Sequence, residues 1–126
     1  METIQVAITD TAYSDALRAL LARDGEWQVV AVETPDPSRE GVLVLDPEHL
    51  ERIAWPIPRP ERVVLITRNE PRYLKRAWEA GVNSVVFEKD PLNTAILAIM
   101  AARLEAAKTG RTGTPKQRVA NCGGPA

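Results

Sequence analysis

The chain has 126 residues, 44% hydrophobic and 26% charged, with a formal net charge of -1; this is the composition of one globular domain and leaves too little length for two of ordinary size. No apolar run approaches the roughly 18 residues needed to span a bilayer, and Met1-Glu2-Thr3-Ile4 lacks the basic start and apolar core of a signal peptide, so a cytoplasmic location is expected. A single cysteine, Cys122, and a single histidine, His49, exclude an internal disulfide and a Cys/His zinc set.

The charge is uneven. From Lys108 onward the chain carries Lys108, Arg111, Lys116 and Arg118 and no acid, a charge of +4, whereas residues 1–107 hold 12 basic against 17 acidic residues, a charge of -5. An acidic body has the wrong sign for binding a phosphate backbone, which argues against direct nucleic-acid binding by residues 1–107.

In chain order, Thr3-Ile4-Gln5-Val6-Ala7-Ile8-Thr9 is the first β-prone run and ends at Asp10. A helix follows, with Ala16, Leu17, Leu20 and Leu21 on one face and Gly25 as its stop. Residues 28–32 and 41–45 are the second and third runs, joined by Thr34-Pro35-Asp36-Pro37-Ser38-Arg39-Glu40, whose two prolines leave no room for a proper helix. One helical turn or an extended arm over the sheet edge is expected there. Pro47-Glu48-His49-Leu50-Glu51-Arg52-Ile53 is enough for about two helical turns before Pro56, Pro58 and Pro60 break the pattern.

Residues 62–66 form the fourth run. Pro71 opens a helix lined by Leu74, Ala77 and Trp78 and ended by Gly81. Ser84-Val85-Val86-Phe87 is the fifth run, and Pro91 opens a last helix with Leu92, Ile96, Ile99, Met100 and Leu104 as its expected buried stripe. Near-continuous Val/Ile/Leu runs alternating with helices predict a parallel sheet covered on both faces. From Thr109 the Gly/Thr/Pro composition reads as a flexible basic tail or linker, dividing the chain into a body of residues 1–107 and a tail of residues 108–126. Trp27, Trp55 and Trp78 are read as core or edge-covering residues, with Trp55 in its proline-stiffened loop also suited to a partner contact, and His49 as an exposed helix residue.

In an open parallel sheet, functional groups gather beyond the carboxyl ends of the strands. Here those ends carry Asp10, Asp46, Thr67 and the run Glu88-Lys89-Asp90. Two carboxylates, a hydroxyl and an ammonium make an oxygen-rich Mg²⁺ and phosphoryl site: Asp46 as nucleophile, Asp10 as metal ligand, Thr67 as donor to a phosphoryl oxygen and Lys89 as its counter-charge. Asp46 and Asp10 each also precede a helix, so capping is the competing reading of both. A small-molecule site is disfavoured because Thr9-Asp10-Thr11-Ala12-Tyr13-Ser14 contains no glycine for a phosphate loop.

Together, Ile4 to Asp10, Val42-Leu43-Val44-Leu45-Asp46, Val63-Val64-Leu65-Ile66-Thr67, and Ala80-Gly81 followed by Val85-Val86-Phe87-Glu88-Lys89-Asp90 resemble the receiver domain of bacterial two-component response regulators over about residues 3–107. The resemblance implies a flavodoxin-like, CheY-like three-layer α/β sandwich with a five-stranded parallel sheet in the order 2-1-3-4-5, here with reduced second and third helices. It implies a signalling module, not an enzyme, that accepts a phosphoryl group on Asp46 from a histidine kinase or phosphotransfer protein with Mg²⁺ bound. The signal passes to a downstream protein through residues 71–104, with a homodimer as a further possibility.

The departures are specific. Only Asp10 stands where receivers place two adjacent acids, so Mg²⁺ would be held by Asp10, Asp46 and the backbone carbonyl of Glu48, and weakly. Arg68 follows the switch hydroxyl where a small residue is usual, placed to crowd or pair with Asp46. Counted from Gly81, Glu88 rather than Lys89 falls at the lysine position unless a bulge shifts the register. These features are similar to degenerate receivers, and the alternative function is a phosphorylation-independent interaction or dimerisation module.

Overall fold

In the computed structural model, residues 3–23, 27–37, 39–53 and 55–112 are described, with side chains through residue 105. Five strands, β1 (Thr3–Ala7), β2 (Gln28–Ala31), β3 (Gly41–Leu45), β4 (Val63–Thr67) and β5 (Ser84–Phe87), pair in parallel in the order β2-β1-β3-β4-β5. Helices α1 (Thr11–Ala22), α2 (Pro47–Arg52) and α3 (Pro71–Ala80) lie in the β1–β2, β3–β4 and β4–β5 crossovers, and α4 (Leu92–Thr112) follows β5. The order reverses between β1 and β3, so their carboxyl ends face a common crevice. The CheY-like fold expected from the sequence is present.

The period-2 geometry of each strand divides the core in two. Ile4, Val6, Val42, Val44, Val64, Ile66 and Val86 face Leu17 and Leu21 of α1 and Ala95, Ile99 and Ala102 of α4. Ala7, Leu43, Leu45, Val63 and Leu65 face Leu50 of α2 and Ala77 and Ala80 of α3. Both faces are covered, which is why the strands lack polar alternation.

The lean β2–β3 connection is an extended arm. Its described residues contain no helix; instead the buried Gln5 side chain on β1 holds it, Nε2 donating to the Asp36 carbonyl at 3.0 Å and Oε1 accepting from the Asp36 amide at 2.8 Å. One side-chain amide thus satisfies a donor and an acceptor of the crossing loop. Arg62, in a 3₁₀ turn at Pro60–Arg62 that the sequence did not announce, is also buried. Its guanidinium donates to the carbonyls of Arg39 at 2.6 Å and Gly41 at 2.9 Å. Burial, then the nearby Arg59 charge, lower the pKa of Arg62. Gly41 has φ +115°, and a Cβ there would stand 1.9 Å from the Thr3 carbonyl oxygen, so β1 and β3 meet closely only because residue 41 is glycine.

Some expectations are corrected, and others fall outside the described residues. The stop assigned to Gly25 lies outside the described residues, and α1 ends at Ala22. On α4 the buried stripe is Ala95, Ile99 and Ala102, with Leu92 and Ile96 partly buried, whereas Met100 is 38% and Leu104 68% exposed; the sheet accepts the small residues and α4 turns the large ones outward. The helix also continues to Thr112, past the composition change at residue 108; residues 113–126 lie outside the described part. Trp27 is buried, its Nε1 donating to the Leu21 carbonyl, but Trp78 is 82% exposed, since Ala77 and Ala80 fill the face of α3 that meets the sheet. Among the described residues, no helix is long and apolar enough to cross a membrane.

Removing the Gln5 amide takes the side-chain acceptor from the Asp36 amide, while the Asp36 carbonyl keeps its bond from the Arg39 amide at 3.2 Å. Gln5→Ala is expected to cost about 1–3 kcal/mol in urea unfolding and to deprotect the Asp36 amide against hydrogen exchange; an unchanged Asp36 amide would show that the arm is held some other way.

Candidate functional site

The ends of β1, β3, β4 and β5 and the start of α1 form an open cavity of about 280 Å³ lined by Ile8, Thr9, Asp10, Tyr13, Asp46, Ile66 and Glu88. Asp46 is positioned by the sheet ladder, which extends one step past β3 as its amide donates to the Ala7 carbonyl at 3.3 Å. The structure brings Asp10 and Asp46 into this cavity, and with them Glu88. Lys89 sits in the turn after β5, exposed, and lines a separate depression with Arg68, Asn69, Glu70, Phe87, Glu88 and Asp90. No bulge restores the lysine: the ladder runs straight to Thr67↔Phe87, and the Glu88 amide donates to the Thr67 carbonyl at 2.9 Å.

The carboxylate of Asp46 is heavily engaged. Oδ1 accepts from the His49 amide at 2.9 Å and lies 2.6 Å from His49 Nδ1, while Oδ2 accepts from the Thr9 amide at 2.8 Å. An ionised carboxylate only accepts, so His49 donates from Nδ1. Burial pushes the Asp46 pKa up, but the hydrogen bonds from the amides of Thr9 and His49, the His49 ring and the Thr9 hydroxyl outweigh it and hold the carboxyl below its ordinary range. The two amides and the ring alone fill about three of its four acceptor directions. His49 is therefore not an exposed helix residue: it is 6% exposed and clasped to Asp46, because the i, i+3 spacing folds its ring back over the cap.

The other expected residues have other occupations. Asp10 caps α1, accepting from the Tyr13 amide at 3.2 Å. The Glu48 side chain accepts from Arg52 at 3.1 Å and from the Thr9 hydroxyl at 3.4 Å. Thr67 is fully buried and its hydroxyl donates to the Arg68 carbonyl at 3.2 Å. Arg68 does not reach Asp46; it pairs with Glu70 at 3.3 Å and donates to the Tyr73 hydroxyl at 3.2 Å, and those two partners, Tyr73 first, raise its pKa.

The cavity is negative without compensation from its own lining, which contains Asp10, Asp46 and Glu88 and no basic residue. The buried, unpartnered Tyr13 hydroxyl reports this: burial raises its pKa first, and the charges of Asp90 and Glu88 raise it further. Mg²⁺ demands a near-octahedral set of oxygens. The residues here do not fit it, since the acceptor directions of Asp46 point at N–H donors, Thr9 stands where a second acid is needed, and no cluster of three acidic, His or Cys ligands exists among the described residues.

No family model and no curated protein matches the sequence. The fold does match solved structures. A CheY-like response regulator receiver domain from Methanospirillum hungatei JF-1 superposes with a TM-score of 0.69 at 17% identity, covering 87% of this chain and 99% of that one. The signal receiver domain of a modulated diguanylate cyclase from Desulfovibrio desulfuricans G20 gives 0.65 at 15% identity over 86% and 98% of the two chains. A signal receiver domain of a two-component histidine kinase from Clostridium thermocellum gives 0.60 at 14% identity over 80% and 96%. The chain has the fold of a response regulator receiver domain.

Because Asp46 is held below its ordinary pKa, its bonds stabilise the fold above about pH 4, and this contribution is lost as pH falls through the folded value. Asp46→Ala is expected to cost about 0.5–2 kcal/mol or more at pH 7, and visibly less at pH 3, in urea unfolding; a pH-independent difference would contradict the hydrogen-bonded ionised carboxylate.

Proposed function

We propose that the chain is a degenerate receiver, a cytoplasmic signalling module that works by protein contact without phosphorylation of Asp46 and has no catalytic role. The observation that carries this reading is the double hydrogen-bonded clasp of Asp46 by Thr9 and His49. A phosphoacceptor needs an oxygen free to attack, a metal to neutralise the incoming phosphoryl group and a cation to hold its charge. Asp46 retains about one free lone pair, its surroundings do not fit Mg²⁺, and Glu88 lines the cavity in place of a lysine. A phosphoryl group there would meet Glu88 and Asp10 with no balancing cation in the lining.

The contact surface is residues 71–104, comprising α3, the edge strand β5 and most of α4. Trp78 at 82%, Leu97 at 67%, Met100 at 38% and Leu104 at 68% exposure are the large hydrophobic residues left in solvent among the described residues, and all lie on the two helices beside that edge. Trp78 stands alone on α3, and the three on α4 share one side of that helix; exposed apolar groups gathered in this way mark an interaction surface. In this reading no histidine kinase is needed as a phosphoryl donor, and Asp46 persists for its capping role.

The test is a titration with Mg²⁺, with and without beryllofluoride, following tryptophan fluorescence in the wild-type protein and in Asp46→Asn. No saturable, Asp46-dependent response is expected in the folded protein. A saturable response lost in Asp46→Asn would establish a working phosphoacceptor and overturn the reading.

A further inference from the structure

The sheet has two edge strands, β2 and β5, and the fold treats them differently. At β5 the outward-facing amide of Phe87 is capped by its own chain, donating to Asp90 Oδ2 at 3.0 Å, and the charged run Glu88-Lys89-Asp90 follows directly. At β2 no such cap is present among the described residues. The β1–β2 ladder pairs Gln5 with Val30 and Val6 with Ala31, and the Val32 amide donates to the Val6 carbonyl at 3.0 Å. This alternation turns the backbone groups of Val30 and Val32 towards β1 and the N–H and C=O groups of Val29 and Ala31 outward. No described residue bonds those outward groups.

The usual protections of an edge are missing as well. Gln28-Val29-Val30-Ala31-Val32 contains no charge, proline or glycine, and its register with β1 runs without a bulge. The β2–β3 arm is held over β1 by Gln5, and Val30 is left half-buried and Ala31 exposed. We propose that β2 pairs antiparallel with β2 of a second copy of this chain, across a two-fold axis at Val30, so that two five-stranded sheets join into one.

The strand is its own complement. Only residues whose backbone groups face outward can exchange hydrogen bonds in an antiparallel addition. With the axis at Val30, Val29 stands opposite the partner's Ala31 and Ala31 opposite the partner's Val29, so every outward group of both residues is used and each contact occurs twice, as an isologous interface requires. This register also pairs residues 28–32 in full. Val30 meets the partner's Val30 at the closer spacing of about 4.5 Å between Cα atoms, a β-branched cross-strand pair, and no like charges are opposed.

Five residues a side fall far short of the about 20–30 a side of a standard stable interface, so the pairing is weak and reversible. Without charged groups it is nearly insensitive to salt. It does not rest on the reading of Asp46: β5 lies at the opposite edge, so residues 71–104 of each copy stay free, and a phosphorylated Asp46 would leave the pairing standing.

Sedimentation velocity and amide hydrogen exchange of the full chain, from micromolar to millimolar concentration, test the proposal. A monomer–dimer equilibrium is expected, in which the Val29 and Ala31 amides exchange more slowly as concentration rises and the Val30 amide, already bonded within the sheet, changes less. Val30→Lys and Val30→Glu each set like charges opposite one another at the axis and are expected to weaken the dimer about fivefold or more, whereas an equimolar mixture of the two restores a mixed dimer. Circular dichroism checks that both variants fold, and the exchange measurement on the wild-type chain stands without them. In a Cys122→Ala background, Val30→Cys is expected to cross-link to itself under mild oxidation and Ala31→Cys is not. A chain that stays monomeric throughout, a dimer whose Val29 and Ala31 amides remain unprotected, or Ala31→Cys cross-linking as efficiently as Val30→Cys would overturn it.

Discussion

An ionised carboxylate at the end of a buried strand must be satisfied, and Asp46 is satisfied from two sides. The Thr9 amide belongs to the segment leaving β1, and the His49 amide and ring belong to α2. One side chain therefore fixes the separation of two chain segments at the point where the strand order reverses. A carboxylate held below its ordinary pKa by N–H donors is a poorer nucleophile and a poorer metal ligand. Structural satisfaction and phosphoryl acceptance compete for the same oxygen lone pairs, and in the proposed reading the structural use wins.

The rest of the fold adapts to short connections by similar means. With the β2–β3 segment too proline-rich for a helix, Gln5 offers one amide to the Asp36 backbone. Arg62 does the same for the carbonyls of Arg39 and Gly41, at the opposite end of the sheet from the cavity. Each device buries a polar side chain that would be costly alone and is tolerated because the crossing backbone needs partners. On the outer surface α3 is laced by Arg76, which bonds Glu51 of α2 through two nitrogens at 2.6 and 2.8 Å and lies over the Trp55 ring at 4.1 Å. Trp55 thus covers the α2–α3 side, which favours its edge-covering reading.

The strands were legible because near-continuous β-branched runs ended by Asp, Thr or Glu leave little choice of element, and Pro71 and Gly81 bracket α3 as read. The capping use of Asp46 and Asp10 was also readable, since each stands directly before a helix. The outward turn of Met100 and Leu104 was not: helical periodicity gives two candidate apolar faces on α4, and only the depth of the groove selects the small-residue face for the core. The placement of His49 escaped because a lone histidine is usually solvated, and its burial depends on a carboxylate three residues back that must itself be fixed by Thr9. The lysine register could be counted from Gly81 but not decided, because a bulge leaves no mark in composition.

The central claim is that Asp46 serves the fold and not phosphoryl transfer. Its most direct test is the intact mass of the folded protein after incubation with Mg²⁺ and a small-molecule phosphodonor such as acetyl phosphate, read promptly at neutral pH. The account predicts an unmodified mass at every time point; a phosphoryl adduct that disappears in Asp46→Asn would contradict it.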